Sequence, residues 1–324
     1  MASAEQIKAL LKSHISGDNS HFFSVAMQVA AHEAKLGHGK LAEELRAMID
    51  EAKSSGLTST KPIPITQPRG ELASLLSVSY PKLNLSDMIL DDSVQERLVR
   101  IIKEQRQFSK IRSYGLSPRR KLLLVGPPGT GKTMTASVLA GELGIPLFQI
   151  KLDSLISKFM GETAAKLRLI FDAVSECRGI YFFDEFDAIG SQRGLTNDVG
   201  EIRRILNSFL QLIEQDDSNS MVIAATNHPE ILDYAVFRRF DDVIEYGLPD
   251  TELIITTLKT RLAAFKIPKM DWKRLSSHAE GLSYADLTRA ADEAMKDAII
   301  HDRESLSEND LLKPLDERKV IRSR

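Results

Sequence analysis

The spacing of apolar residues divides the chain into stretches of different character. In residues 1–55, apolar positions recur at helical intervals in three groups, which predicts three short helices in a small bundle. Between residues 83 and 249 the chain carries short apolar runs without polar alternation, at residues 121–125, 146–150, 180–183 and 221–225. Such runs are typical of strands buried on both faces of a parallel sheet. Because helical stretches separate them, the pattern predicts an α/β domain with right-handed crossovers.

Three other stretches complete the predicted organisation. Residues 56–82 contain serines, glycines and prolines that cannot sustain a core, so they are predicted to form a linker. Residues 250–315 carry only helical signals and predict a small helical domain. The last stretch, residues 316–324, is basic and is predicted to be a solvated tail.

Composition and charge narrow the class of protein. Of the 324 residues, 43% are hydrophobic and 27% are charged, close to the globular average and enough for more than one core. The formal net charge of −2 argues against a protein that coats nucleic acid. The single cysteine, Cys177, cannot form an intramolecular disulfide, and no apolar run approaches the ~20 residues of a membrane-spanning helix. We therefore expect a cytoplasmic protein that acts neither in a membrane nor on nucleic acid.

The strongest chemical signal is a glycine-rich loop between a predicted strand and a predicted helix. It has the form G-x-x-x-x-G-K-[ST] and comprises Gly126, Pro127, Pro128, Gly129, Thr130, Gly131, Lys132 and Thr133. In such a loop the backbone N–H groups and the helix N-terminus bind phosphate oxygens. Lys132 is expected to reach the β- and γ-phosphates of ATP, and the Thr133 hydroxyl to hold Mg²⁺. Met134, the next residue, is included in the predicted binding segment.

Two further predicted strands end in polar residues that suit the same site. The run 180–183 is followed by Asp184 and Glu185, and the run 221–225 is followed, one residue later, by Asn227. Ligands of open α/β sheets bind at the carboxyl ends of the strands. We expect Asp184 to orient Mg²⁺, Glu185 to polarise the attacking water, and Asn227 to position that water. The alternative is that the two carboxylates belong to an acidic surface loop without a function. The presence of a phosphate-binding loop in the same chain makes this interpretation less favoured.

Two adjacent arginines, Arg238 and Arg239, admit two interpretations. They could reach the γ-phosphate bound by a neighbouring subunit, where an arginine is worth ~10³–10⁵ in rate. Alternatively, they could form a local ion pair with Asp241 or Asp242. On its own, the pattern favours the local ion pair.

Together, the segments GPPGTGKT, YFFDEFD, AATN and LDYAVFRRFD resemble, in order and spacing, the AAA family of ATPases within the AAA+ class. The resemblance covers about residues 83–310. It implies a P-loop NTPase fold with a C-terminal helical lid, and ATP bound between protomers of a ring, usually a hexamer. The paired arginines look more like those of the katanin–spastin group than like those of clamp loaders. The resemblance therefore implies a catalytic role for Arg238 and Arg239 at the γ-phosphate of a neighbouring subunit.

The resemblance also assigns individual residues to the nucleotide site. A turn at residues 281–287 resembles the one by which the lid approaches the nucleotide, which places Ala285 there. Leu90 lies in a segment that usually contacts adenine through backbone groups. Arg289 lies nearby, and the sequence assigns it no role.

A further segment, Lys158, Phe159 and Met160 followed by a glycine, resembles the pore loop of AAA rings that thread proteins. An aromatic ring beside a glycine can grip an extended polypeptide through apolar contact. The alternative is that Phe159 packs into the core. The predicted function is ATP hydrolysis by a ring that remodels, unfolds or threads protein substrates, with the N-terminal helices as a docking unit. The other hypothesis is a nucleotide-gated scaffold or sensor ring that regulates or feeds a partner enzyme, such as a subtilisin-like serine protease.

Overall fold

The structure is a computed structural model that describes residues 19–35, 38–54, 68, 70–155, 160–187, 199–265 and 270–322. The chain forms two compact units, residues 1–66 and 67–324. In the first unit, helices α1 (Asn19–Lys35) and α2 (Gly39–Ser54) pack against each other. Their contact buries small and branched side chains, namely Val25, Val29, Ala30 and Ala42. The first of the three predicted helices lies outside the described residues.

Among the described residues of the second unit, six strands form one sheet in the order β1-β3-β4-β5-β2-β6. The strands are β1 (Leu76–Ser79), β2 (Lys121–Val125), β3 (Leu147–Ile150), β4 (Ile180–Phe183), β5 (Met221–Thr226) and β6 (Asp242–Glu245). Strands β2 to β6 pair in parallel, whereas β1 pairs antiparallel with β3 at one edge. The carboxyl ends of β2, β4 and β5 therefore meet at one edge of the sheet.

Helices cover both faces of the sheet and form the lid. On the large domain they are α3 (Leu72–Leu75), α4 (Asp92–Arg106), α5 (Phe108–Ser113), α6 (Lys132–Leu143), α7 (Leu152–Leu155), α8 (Met160–Glu176), α9 (Val199–Gln215) and α10 (Tyr234–Phe237). The lid comprises α11 (Thr251–Arg261), α12 (Trp272–Ala279), α13 (Tyr284–Ile300) and α14 (Glu308–Arg322). No described helix is long and apolar enough to cross a membrane.

The unbroken apolar runs are explained by two separate cores, one on each face of the sheet. Successive side chains of a strand point to opposite faces. In β4, Tyr181 and Phe183 belong to one core, whereas Ile180 and Phe182 belong to the other. The lid has a third core of its own, which includes Leu258, Leu287 and Leu311. The predicted α/β fold with a helical lid is confirmed.

Two predicted boundaries are wrong in part. The linker predicted over residues 56–82 includes residues that fold, because α3 and β1 lie within it and β1 pairs with β3. The solvated tail predicted over residues 316–324 is helical as far as Arg322, as the last part of α14. Two of its arginines bind the rest of the lid: Arg318 donates to Glu293, and Arg322 donates to the carbonyl of Gly281. The basic charge therefore serves contacts within the lid.

Candidate nucleotide-binding site

The glycine-rich loop leaves the end of β2 and enters α6 in a closed curve. The Lys132 ammonium donates to the carbonyls of Gly126 (2.7 Å) and Pro127 (2.8 Å), and the Thr130 hydroxyl donates to the same Pro127 carbonyl (2.8 Å). Gly126 has φ of 144°, and a Cβ there would lie 2.3 Å from the carbonyl oxygen of Tyr246. Only glycine fits that backbone conformation and that space.

Lys132 is nearly buried at the base of the loop, with 6% of the residue exposed. Burial lowers the pKa of its ammonium, while the charges of Asp184 and Asp187 act in the opposite direction. An ammonium has three N–H donors, and two of them are engaged by these carbonyls. The predicted contact of Lys132 with phosphate oxygens stays a prediction.

A hydroxyl and a carboxylate meet directly beside the loop. The Thr133 hydroxyl donates to Asp184 at 2.8 Å. Octahedral Mg²⁺ has ligands at about 2.0–2.1 Å, so adjacent ligands lie about 2.9 Å apart. The spacing of these two oxygens and the hard oxygen chemistry therefore fit the Mg²⁺ that the sequence predicts at Thr133 and Asp184.

Glu185 projects from a sharp turn at the end of β4. Its φ of 51° is unusual for a residue other than glycine, and its N–H donates to Asp184 (3.0 Å). The next residue, Phe186, is fully buried, and its N–H donates to the carbonyl of Ala225 in β5 (2.8 Å). The chain thus turns back into the core at once, which leaves the Glu185 side chain exposed at the edge of the sheet.

The loop, the two carboxylates and Asn227 line one cavity of about 550 Å³ together with the lid. Its lining residues are Pro128, Gly129, Gly131, Lys132, Thr133, Met134, Asp184, Glu185, Asn227, Tyr284, Ala285, Thr288 and Arg289. Because the predicted phosphate-binding, metal-binding and water-activating groups share this space, one bound triphosphate could contact all of them.

A second cavity of about 350 Å³ shares Met134 and Tyr284 with the first. It is lined in part by Met88 and Ile89, and it is suited to the adenosine part of a nucleotide. The side chain of Leu90 is buried in the core, and Leu90 is not among the residues that line either cavity, so its predicted backbone contact with adenine stays a prediction. Burial, with smaller effects of Asp250 and Asp91, raises the pKa of Tyr284 to about 12.

The lid touches the glycine-rich loop at Gly129. The N–H of Ala285 donates to the Gly129 carbonyl (3.1 Å), and a Cβ on Gly129 would lie 2.5 Å from the Ser283 hydroxyl. Ser283 and Asp286 form a capping box at the start of α13, which holds this end of the helix in place. The loop and the lid therefore form the site jointly.

Three lid residues of the cavity were not predicted: Tyr284, Thr288 and Arg289. Thr288 lies four residues after Tyr284, and Arg289 four residues after Ala285, so they extend the same face of α13. Helical spacing from the predicted Ala285 was the signal that could have found them.

The two arginines do not form the local ion pair with Asp241 or Asp242 that was the alternative to a role at a neighbouring subunit. Arg238 is exposed and stacks over the ring of Tyr234 (4.9 Å), while Arg239 pairs with Glu214 (2.6 Å). Asp241 instead accepts hydrogen bonds from backbone N–H groups of residues 120 and 121, and Asp242 pairs with Arg97 and Arg119.

The arginines also lie at the end of the sheet opposite to the glycine-rich loop. Asp241 donates its N–H to the carbonyl of Lys121, the first residue of β2, whereas the loop follows Val125, the last. Five residues of strand span about 16 Å. Arg238 and Arg239 are accordingly not among the residues that line the chain's own cavity.

The predicted pore loop falls mostly outside the described residues. Lys158 and Phe159 lie there, and Met160 is described only as the first residue of α8. The roles of these three residues stay predictions.

Comparison with known proteins agrees with this site. Residues 122–248 match the family described as "ATPase family associated with various cellular activities (AAA)". An uncharacterized AAA family ATPase, y4kL, of Sinorhizobium fredii is 35% identical over 316 residues, which are 97% of this chain and 95% of that protein.

Two other relatives match the chain over a smaller part. An ATP-dependent zinc metalloprotease FtsH of Helicobacter felis is 34% identical over 69% of this chain and 37% of its own length. A proteasome-activating nucleotidase of Pyrococcus horikoshii is 37% identical over 64% of this chain and 55% of its own length. The chain thus spans about half or less of these two relatives.

Proposed function

Because the chain belongs to the AAA family of ATPases and so hydrolyses ATP, we propose that it does this in a ring that remodels, unfolds or threads protein substrates. The observation that carries the proposal is the single cavity in which Lys132, the Thr133–Asp184 pair, Glu185 and Asn227 lie together.

Each group has a role that follows from its position. The loop N–H groups and Lys132 bind the phosphates, and Thr133 with Asp184 holds Mg²⁺, which neutralises charge on the phosphate oxygens when it is bound. Glu185 is exposed at the cavity and accepts a proton from the attacking water, while the Asn227 amide orients that water.

The ring is proposed from the position of the arginines. Arg238 and Arg239 are exposed and do not line the chain's own cavity, and Asp241, which closely follows them, is bonded to the start of β2. In a ring, each subunit could present them to the γ-phosphate held by its neighbour, where they would neutralise developing charge.

Protein substrates are proposed from the predicted pore loop and from the relatives. The names of FtsH and of the proteasome-activating nucleotidase both link an ATPase to proteolysis. The same names support the second candidate, a ring that regulates or feeds a partner protease, for which a subtilisin-like serine protease was the predicted partner.

Glu185→Gln tests the catalytic assignment. The amide keeps the shape of the side chain but cannot take the proton, so turnover should fall by about 10²–10⁴ while ATP binding persists. Both are measured on the same preparation, by phosphate release and by calorimetric titration with ATP. Undiminished turnover would remove Glu185 from its role.

Arg238→Ala tests the ring. The variant should be inactive alone but recover turnover when mixed with Glu185→Gln subunits, whose arginines are intact. No recovery at any mixing ratio would contradict action between subunits.

Phe159→Ala tests threading, with Phe159→Tyr as the control that keeps an aromatic ring. Unfolding of a tagged fluorescent protein should be lost only in the alanine variant, while ATP turnover continues. Unchanged unfolding by Phe159→Ala would exclude the grip by this residue, and unfolding that requires an added protease would favour the second candidate.

A further inference from the structure

The residues that follow the two arginines are anchored to the central strand. The Asp241 carboxylate accepts the N–H groups of Arg120 (2.8 Å) and Lys121 (2.9 Å) with one oxygen, and its own N–H donates to the carbonyl of Lys121 (2.8 Å). Hydrogen bonds to a carboxylate are stronger than those between neutral groups. Three bonds thus join residue 241 to the start of β2.

The preceding residue, Phe240, is anchored by a contact in the hydrophobic core. Its ring is 8% exposed and lies edge-on against Phe186 at 6.4 Å. Phe186 directly follows Glu185 and is itself fully buried. The backbone that leads out of Arg239 is therefore held by a core contact and by a carboxylate at consecutive positions.

The partner of Asp241 is itself held firmly. Arg120 forms a buried ion pair with Asp216, just after the end of α9. The last turn of the same helix carries Glu214, which pairs with Arg239. The start of β2, the end of α9 and the arginine segment thus form one connected cluster.

We propose that Asp241 is the positioning residue for Arg238 and Arg239: by fastening their segment to the first residues of β2, it sets where the two guanidinium groups project from the subunit. The inference rests on the proposed action of these arginines on a neighbour's ATP. An arginine on an exposed segment samples many positions, and a displacement of about 1 Å in such a group can cost ~10²-fold in rate. Removal of the anchor should slow the neighbour's site and spare the subunit's own.

Asp241→Asn and Asp241→Ala test the proposal. Asparagine keeps an acceptor oxygen without the charge, and alanine removes the acceptor, so turnover should fall in that order, by roughly tenfold to a hundredfold for alanine. ATP affinity should not change, because the nucleotide cavity lies at the other end of β2. Asp242→Asn is the matched control. The Asp242 carboxylate is adjacent in the chain but forms ion pairs with the side chains of Arg97 and Arg119, so this variant should leave turnover unchanged.

Mixing the variant with other subunits distinguishes misplaced arginines from a failure of the variant to fold. Asp241→Ala subunits mixed with Glu185→Gln subunits should recover turnover, since the latter supply well-placed arginines to intact sites. Normal turnover of Asp241→Ala alone would overturn the proposal. If mixing restores the turnover of Arg238→Ala but not that of Asp241→Ala, the role of Asp241 is overturned, while the proposed function stands. Failure of both mixtures would refute the action of the arginines between subunits, and the inference with it.

Discussion

Replacement of Gly129 by alanine should weaken ATP binding by separating the glycine-rich loop from the lid. Gly129 has φ of 78°, and its Cβ would lie 2.5 Å from the Ser283 hydroxyl and 3.0 Å from Cβ of Ala285. The first distance is about 1 Å shorter than the ~3.5 Å at which non-bonded heavy atoms are comfortable. The start of α13 must therefore move, and the Ser283 cap moves with it.

The magnitude follows from two contributions. A left-handed backbone conformation costs alanine about 1–2 kcal/mol relative to glycine. Loss of the Ser283 cap costs typically ~1 kcal/mol more. Only the loss of the cap affects the contact between the lid and the loop. A loss of ~1 kcal/mol corresponds to a fall of about fivefold or more in the affinity for ATP.

Gly115→Ala is a closely matched control. Gly115 has φ of 74°, and a Cβ there meets nothing within 4 Å. It therefore carries nearly the same backbone strain without the contact to the lid. Both variants should be measured by titration of a fluorescent ATP analogue in a Glu185→Gln background, with thermal unfolding recorded in parallel. Equal affinities for the two variants would refute the claim that the lid contact at Gly129 is part of the nucleotide site.

Three more outcomes are expected. Asp184→Asn should raise the Mg²⁺ concentration for half-maximal turnover by roughly 10–100-fold, measured by Mg²⁺ titration of phosphate release; an unchanged midpoint would exclude Asp184 from the metal site. Arg289→Ala should weaken ATP binding about tenfold, because the variant removes a guanidinium from the cavity lining. Lys296→Ala, further along α13, is the control and should leave the affinity for ATP unchanged. Equal affinities of the two variants for ATP would exclude a phosphate contact by Arg289. Asp216→Ala should lower the free energy of unfolding in urea by about 3–5 kcal/mol, because it leaves the buried Arg120 with only the exposed Asp217, at 3.9 Å, as an ion-pair partner. A loss under about 1 kcal/mol would contradict that.

Four strands were predicted nearly in full because their side chains are buried on both faces. Strand β4 is the clearest case, since all four of its residues are buried between two cores. Strands β1 and β6 were not predicted, because each has only one buried residue and so lacks an apolar run. Their pairing is determined by the sheet they join, as β1 shows by completing the edge beside β3.

The glycine-rich loop, the two carboxylates and Asn227 were predicted because each is a short motif at the end of a predicted strand. Of the lid residues that line the cavity, only Ala285 was predicted. The side of α13 that faces the cavity depends on how the lid packs. The alternative considered for the arginines, a local ion pair with Asp241 or Asp242, was wrong because those aspartates have other partners. Asp241 binds the backbone of residues 120 and 121, about 120 positions away, and no local pattern reports such a contact.

The strand β2 connects the two functional ends of the subunit. Its last residue leads into the loop that is proposed to hold the chain's own nucleotide. Its first residue, Lys121, and the preceding Arg120 bind Asp241 beside the arginines. A second connection runs from Glu185 through Phe186 to Phe240. One buried strand and one aromatic contact therefore join the two ends, and packed cores do not deform freely. In the proposed ring, this rigidity would hold the arginines in a fixed position relative to the subunit's own site.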